Sequence, residues 1–417
     1  MKRLCLISLL LIGFVATLAA QNGFYLKDGD RVVFYGDSIT DQRLYTLFTE
    51  AYVVTRFPKL NVSFVHSGWG GDRVTGGGGG PIDVRLKRDV FPYRPTVMTI
   101  MLGMNDGSYR AYDDKIFETY ASGYRHIIES VKSAFPGERI TVIEPSPFDD
   151  VTRAPNFEGG YNAVLVRYGQ FLAELANKEA LHVADLNTSV VGALHKAKEI
   201  DSKMAERIIQ DRVHPGPGGQ MLMAEALLKS WSAPAAVGSV TIDASGPKVI
   251  TALKNISSPK LQEGGALAWS QTDDALPMPI DMKDPVMQLA MKSSDFIQAL
   301  DQQTLQVTNM KPGRYALSID GERVGAFSDA ELAAGVNLAV LQTPMAAQAM
   351  NVLDLTRKHN DIHFARWRMV QVPLQDLSLT STQPAMDALD RLEAEIVAAQ
   401  RAAAVPKPHE YRLALEN

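Results

Sequence analysis

The sequence predicts an α/β protein. It is a three-layer α/β/α sandwich around a central parallel sheet, joined to a smaller β-rich module and C-terminal helices. Three observations carry this. Short β-branched and aromatic runs alternate with helix-period segments from Arg31 to about Trp231. The first three of those runs end on Gly-containing polar turns. After the linker Pro234-Ala235-Ala236-Val237-Gly238 the rhythm shifts to strands separated by turn signals.

In order, strands are expected at Arg31 to Tyr35, Val62 to His66, Thr96 to Leu102, Ile140 to Glu144 and His182 to Asp185. Helices are expected at Leu44 to Arg56, Val84 to Val90, Ile116 to Ala134, Tyr161 to Asn177, Val190 to Lys198 and Gly219 to Trp231. Strands alternating with helices imply a parallel sheet covered on both faces, with ligands beyond the carboxyl ends of the strands. Beyond the linker, Ser239 to Asp243, Thr304 to Thr308, Arg314 to Ile319 and Arg323 to Phe327 read as strands, the last two joined by an Asp320-Gly321 hairpin turn. Leu276 to Met291 carries no clear signal. Ser328-Asp329-Ala330-Glu331 is a capping box opening a helix. Pro344 to about Met369 and Pro384 to Ala403 read as long helices. The expected organisation is residues 1–20 a signal peptide, 21–233 a catalytic domain, 234–330 a β-rich accessory module and 331–417 a helical extension packing on both.

The 417 residues carry a net charge of -5, which argues against nucleic acid as the main partner. Met1-Lys2-Arg3 followed by an apolar run ending in Leu18-Ala19-Ala20 is a secretory signal pattern, with cleavage expected after Ala20. The expected location is the periplasm or the exterior, with no stable membrane insertion after cleavage. Cys5, the only cysteine, falls inside that segment, so the mature chain offers no disulfide, thiolate metal site or thiol nucleophile. The oligomeric state is left open.

The chemistry gathers at strand ends. The first strand ends on Gly36-Asp37-Ser38-Ile39-Thr40 and the second on Ser67-Gly68-Trp69-Gly70-Gly71-Asp72-Arg73. The third ends on Gly103-Met104-Asn105-Asp106, and Asp211-Arg212-Val213-His214-Pro215 precedes the last helix. Taken singly, each has a plain structural reading: Ser38 or Asn105 as a helix cap, Gly71 as a positive-φ position, Asp211 and His214 as a polar loop. Asp37 reads as structural, its carboxylate bonding nearby loop amides. Together the four resemble the blocks of the SGNH (GDSL-type) esterase and lipase superfamily, over Arg31 to about Trp231. The resemblance implies a flavodoxin-like sheet. It also implies Ser38 as nucleophile, His214 as general base oriented by Asp211, and an oxyanion hole from Ser38, Gly71 and Asn105. No metal or organic cofactor is implied. These residue types fit such a reaction. Serine needs a base, histidine titrates near neutrality, and a carboxylate on its other nitrogen fixes the tautomer.

Trp69 and Tyr109 are candidate substrate walls. The Gly76 to Gly80 run lacks the Lys-Ser/Thr of a phosphate loop and reads as closely approaching backbone beside the site. His66 stands where the family often has Asn. His359 and His363 have metal-ligand spacing but lack the glutamate of a zinc protease motif, so interface histidines are the better reading. The segment from Arg357 to Asp361, with Arg366-Trp367-Arg368, is expected to dock on the catalytic domain or rim its cleft. The expected function is hydrolysis of small-molecule or glycan esters, with short acyl groups such as acetyl on carbohydrate favoured. Alternatives are a lysophospholipase or thioesterase, and a non-catalytic glycan-binding or surface-assembly protein.

Overall fold

The computed structural model describes residues 23–252, 256–262 and 265–416. The expected signal peptide, with Cys5, lies outside the described residues.

The first half builds around β1 (Arg31–Gly36), α1 (Leu44–Arg56), β2 (Ser63–Gly68), α2 (Ile82–Asp89), β3 (Val97–Met101) and α3 (Asp114–Ala134). It continues with β4 (Arg139–Ile143), α4 (Gly160–Glu179), β5 (His182–Ala184), α5 (Leu186–Ile200) and α6 (Pro217–Ser230). The strands pair in parallel in the order β2-β1-β3-β4-β5. Winding runs outward from β1 to β2 and then back across to β3, so right-handed crossovers place α1 on one face and α3 and α4 on the other. Strand β3 lies in the middle of this sheet and all five of its residues, Val97-Met98-Thr99-Ile100-Met101, are buried. That double-sided burial is why it reads as a continuous apolar run. The reversal of strand order lies between β1 and β3, where Ser38 and Asn105 follow.

The second half holds two sheets. One runs β7 (Lys248–Ala252), β6 (Ala236–Asp243), β9 (Gln302–Thr308) and the short Val336–Asn337. The other runs Lys260–Leu261, β8 (Leu267–Gln271), β12 (His409–Leu415), β10 (Arg314–Ile319) and β11 (Glu322–Ser328). Alternating inward residues of both, among them Val240, Ile242, Trp269, Leu305, Leu317 and Leu413, share one core. The Asp320-Gly321 turn has φ of 52° and 85°, both positive, as a two-residue hairpin of this hand requires. The Ser328/Glu331 capping box forms as expected.

Three features were not anticipated. Part of the unassigned stretch is α7 (Pro285–Ser293), which packs on α6 and belongs to the core of the first half. The helical extension does form α8 (Pro344–Phe364) and α9 (Thr382–Ala403), but it ends in a strand. β12 inserts between β8 and β10 and pairs antiparallel with both. Finally, α8 runs on into a π-helical turn, Ala365–Gln371.

Helices α8 and α9 pack together, and α8 lies against α1. At that junction Glu50 of α1 meets His66 of β2 at 3.2 Å and His359 of α8 at 2.9 Å. His359 also meets Glu393 of α9 at 3.0 Å, and Gln400 donates to Glu50 at 2.9 Å. Burial opposes the charge on His359, but Glu50 and Glu393 outweigh it and push its pKa up to about 10. Burial would likewise raise Glu50, yet His359 and His66 hold it down at about 2. The interface reading of His359 and His363 is what the structure shows. His66 bonds Thr46 and Glu50 of α1, at 2.7 and 3.2 Å, rather than the loop beyond β2.

Candidate active site

Asp37 follows β1 in extended conformation and caps a one-turn helix, Ser38–Asp41, accepting from the Ile39 amide at 3.0 Å. Burial pushes its pKa up to about 7. Its role is to shape the turn, as the sequence suggested. Ser38 therefore sits at the first helical position with its hydroxyl pointing outward. His214 Nε2 lies 2.8 Å from Ser38 Oγ, and His214 Nδ1 lies 2.6 Å from Asp211 Oδ2. The three-residue spacing works because Asp211 folds its own loop. Its Oδ1 accepts from the Val213 and His214 amides at 3.0 and 2.7 Å. Burial opposes ionisation, but the hydrogen bonds from His214 and Val213 outweigh it and hold the Asp211 carboxyl below its ordinary value. The Asp211 side chain is 57% exposed. Its charge is screened, so orientation of the imidazole is its larger contribution.

The second strand's loop turns back through Trp69 to Asp72, whose amide donates to the Trp69 carbonyl at 3.1 Å. Gly71 occupies the third position of this β-turn with φ of 77°, which favours glycine there. Asn105, after β3, is buried. Its Nδ2 donates to the Asp72 carbonyl at 3.0 Å and its Oδ1 accepts from the Tyr109 hydroxyl at 2.9 Å. These two bonds fix which way the amide faces and leave one N–H uncommitted by them. The residues expected as one constellation are thus brought to one edge of the sheet. Such an arrangement can remove a proton from a serine hydroxyl and offer neutral donors to a developing oxyanion.

Tyr109 borders this edge. It and Ser108 both have positive φ, 55° and 58°, and its ring leans on Tyr161 and Phe148. It remains 44% exposed, open to a substrate. Trp69 is placed differently. Its ring carries the Arg368 guanidinium at 3.2 Å, meets Trp367 edge-on and lies under the glycine run. A Cβ at Gly79 would come within 2.6 Å of the Trp69 ring. The run is closely approaching backbone, packed on Trp69.

Trp367 and Arg368 dock on this loop, as expected of the Arg366-Trp367-Arg368 segment, but sequence reasoning missed Arg85 and Asp89, which hold it from α2. Arg85 donates to Asp72 Oδ2 at 2.7 Å and to the Ser67 carbonyl at 2.8 Å, and it also bonds Asp89. Arg85 and Asp89 form an i,i+4 pair that reads as an ordinary helix-surface ion pair, while Asp72, Ser67 and Trp367, which they also bond, lie in other elements.

Residues 34–222 match the GDSL-like lipase/acylhydrolase family. An acetylxylan esterase from Geobacillus stearothermophilus is 23% identical over 229 residues, 49% of this chain and 94% of the relative. Among solved structures, the gut microbial diltiazem-metabolizing enzyme BT4096 superposes with a TM-score of 0.80 at 22% identity, covering 94% of this chain and 98% of its own. That likeness shows that the whole architecture, second half included, recurs in another protein. With the parallel sheet, these matches show that residues 34–222 carry a GDSL-like lipase/acylhydrolase domain, and they support the SGNH superfamily and a carboxylic ester hydrolase.

Proposed function

We propose that the protein hydrolyses short acyl esters, acetyl above all, on carbohydrates outside the cytoplasm, through an acyl-enzyme on Ser38. The unbroken line Ser38–His214–Asp211, at 2.8 and 2.6 Å, carries this reading. His214 Nε2 accepts the Ser38 proton as Oγ attacks the ester carbonyl. The Ser38 and Gly71 amides and the free N–H of Asn105 stabilise the tetrahedral oxyanion. His214 then returns the proton to the leaving alcohol, and water attacks the acyl-enzyme by the same route to release the acid.

The acetylxylan esterase relative supports an acetyl group on a sugar. So does the half-exposed Tyr109 ring beside the site, a face on which a sugar can stack. The amino-terminal signal pattern supports export. A purely glycan-binding role for the second half gains nothing from Trp269, Tyr315 and Tyr411, which are buried in its core and offer no stacking surface.

The test is to assay the mature protein and Ser38→Ala on acetyl and long-chain nitrophenyl esters and acetylated xylo-oligosaccharides. Diltiazem, itself an O-acetyl ester, tests a non-sugar alcohol. The expected result is rapid release of acetate by the wild type alone. Equal rates from Ser38→Ala refute the serine route, and preference for long chains refutes the acetyl assignment.

A further inference from the structure

The second half reaches the loop carrying Gly71 through the π-helical turn Ala365–Gln371. Two successive side chains of that turn reach the loop carrying Gly71 and do so by separate routes. Arg368 acts directly. Its guanidinium covers the Trp69 ring at 3.2 Å, donates to the Gly68 carbonyl at 3.4 Å and pairs with Asp41 at 3.6 Å. Asp41 closes the circuit by accepting the Gly70 amide at 3.2 Å. Trp367 acts through a relay. Its Nε1 donates to Asp89 at 2.6 Å, Asp89 bonds Arg85, and Arg85 donates to Asp72 at 2.7 Å. The Asp72 carbonyl is in turn the acceptor for Asn105.

Gly71 itself has no atom within 4 Å of where a side chain would sit, and glycine is the residue with most backbone freedom. Its amide direction is therefore set by its neighbours. Gly68, Trp69, Gly70 and Asp72 are all held by groups tied to the turn. Buried charge pairs in series resist displacement because breaking one leaves an uncompensated charge. An oxyanion donor stabilises the transition state only if held in place before the charge develops.

We infer that the π-helical turn is a clamp on the oxyanion loop, with Arg368 its main positioning residue, so that the C-terminal extension sets the turnover of the α/β domain. This rests on the reading of Ser38, Gly71 and Asn105 given above. A clamp on the oxyanion site affects the transition state more than ground-state binding.

In the full-length chain, Arg368→Ala is expected to lower kcat on an acetyl ester about tenfold, less than the 10²–10³ of a deleted donor, with KM changed less than about twofold. Inhibition by a small alkyl boronic acid, which forms a tetrahedral adduct on the serine, should weaken by the same factor. Arg368→Lys keeps a charge near Asp41 but loses the planar stack, and falls between. Trp367→Phe keeps the ring but not the donor to Asp89. It should show the same split, and it serves as the test should Arg368→Ala not fold. Wild-type kcat in these variants, or a fall in kcat with boronate affinity unmoved, overturns the clamp. Full activity in Ser38→Ala instead overturns the underlying site assignment.

Discussion

The two arms of the proposed active site are built in opposite ways. The proton-transfer arm is local. Asp37 caps the turn that presents Ser38, and Asp211 shapes the loop that presents His214 three residues later. The oxyanion arm is assembled from afar. Gly71 is flanked by residues held from α2, and Asn105 is fixed by the Asp72 carbonyl and the Tyr109 hydroxyl. The whole loop rests on Trp367 and Arg368, some 300 positions away in the chain. A self-contained motif can move between proteins intact, whereas the long-range arm ties this esterase domain to its own extension.

The largest expected effect breaks the local arm. Ser38→Ala should reduce kcat/KM on an acetyl ester by about 10⁴-fold or more, measured against residual rate. Next, Asn105→Ala removes one oxyanion donor and should cost about 10²–10³ in kcat with Ser38 still open to acylation. Tyr109→Phe is a finer cut. It deletes only the hydroxyl that fixes the Asn105 amide, worth about 1 kcal/mol, or roughly fivefold in kcat. If Tyr109 instead touched substrate alone, KM would carry the change.

The smallest effect on turnover, and a large one on stability, is expected at the junction. His359→Gln leaves Glu50 and Glu393 without their buried cation and should cost about 3–5 kcal/mol in denaturant unfolding. The pH dependence has a definite sign. The His359 pKa is raised from 6.5 to about 10 on folding. The stabilisation is therefore full below pH 6.5 and is lost as pH rises through 10. His359→Gln should remove that alkaline slope while leaving kcat on an acetyl ester near the wild-type value.

What the sequence made legible follows the same division. The strands of the parallel sheet were readable as short apolar runs bounded by turn signals, and the run from Leu44 to Arg56 as a longer apolar-rich segment of helix length. Ser38 was readable because it sits on a strand-to-helix turn, and Asp211 with His214 because they stand three residues apart; the Ser38–His214 contact itself spans 176 positions. The strand His409–Leu415 was not. Its alternation is only seven residues long, and its partners lie far upstream. Trp69 looked like a substrate wall because it flanks Gly71, yet the cation that covers it comes from Arg368. Helix α7 escaped notice because its apolar face is matched by α6, more than fifty residues away.

The most direct test is covalent. A small fluorophosphonate should add one phosphonyl group to the wild-type chain, and peptide mass spectrometry should place it on Ser38. His214→Ala should suppress the adduct, and a saturating acetyl ester should slow it. An adduct at another residue, or full labelling at Ser38 without His214, would contradict the account.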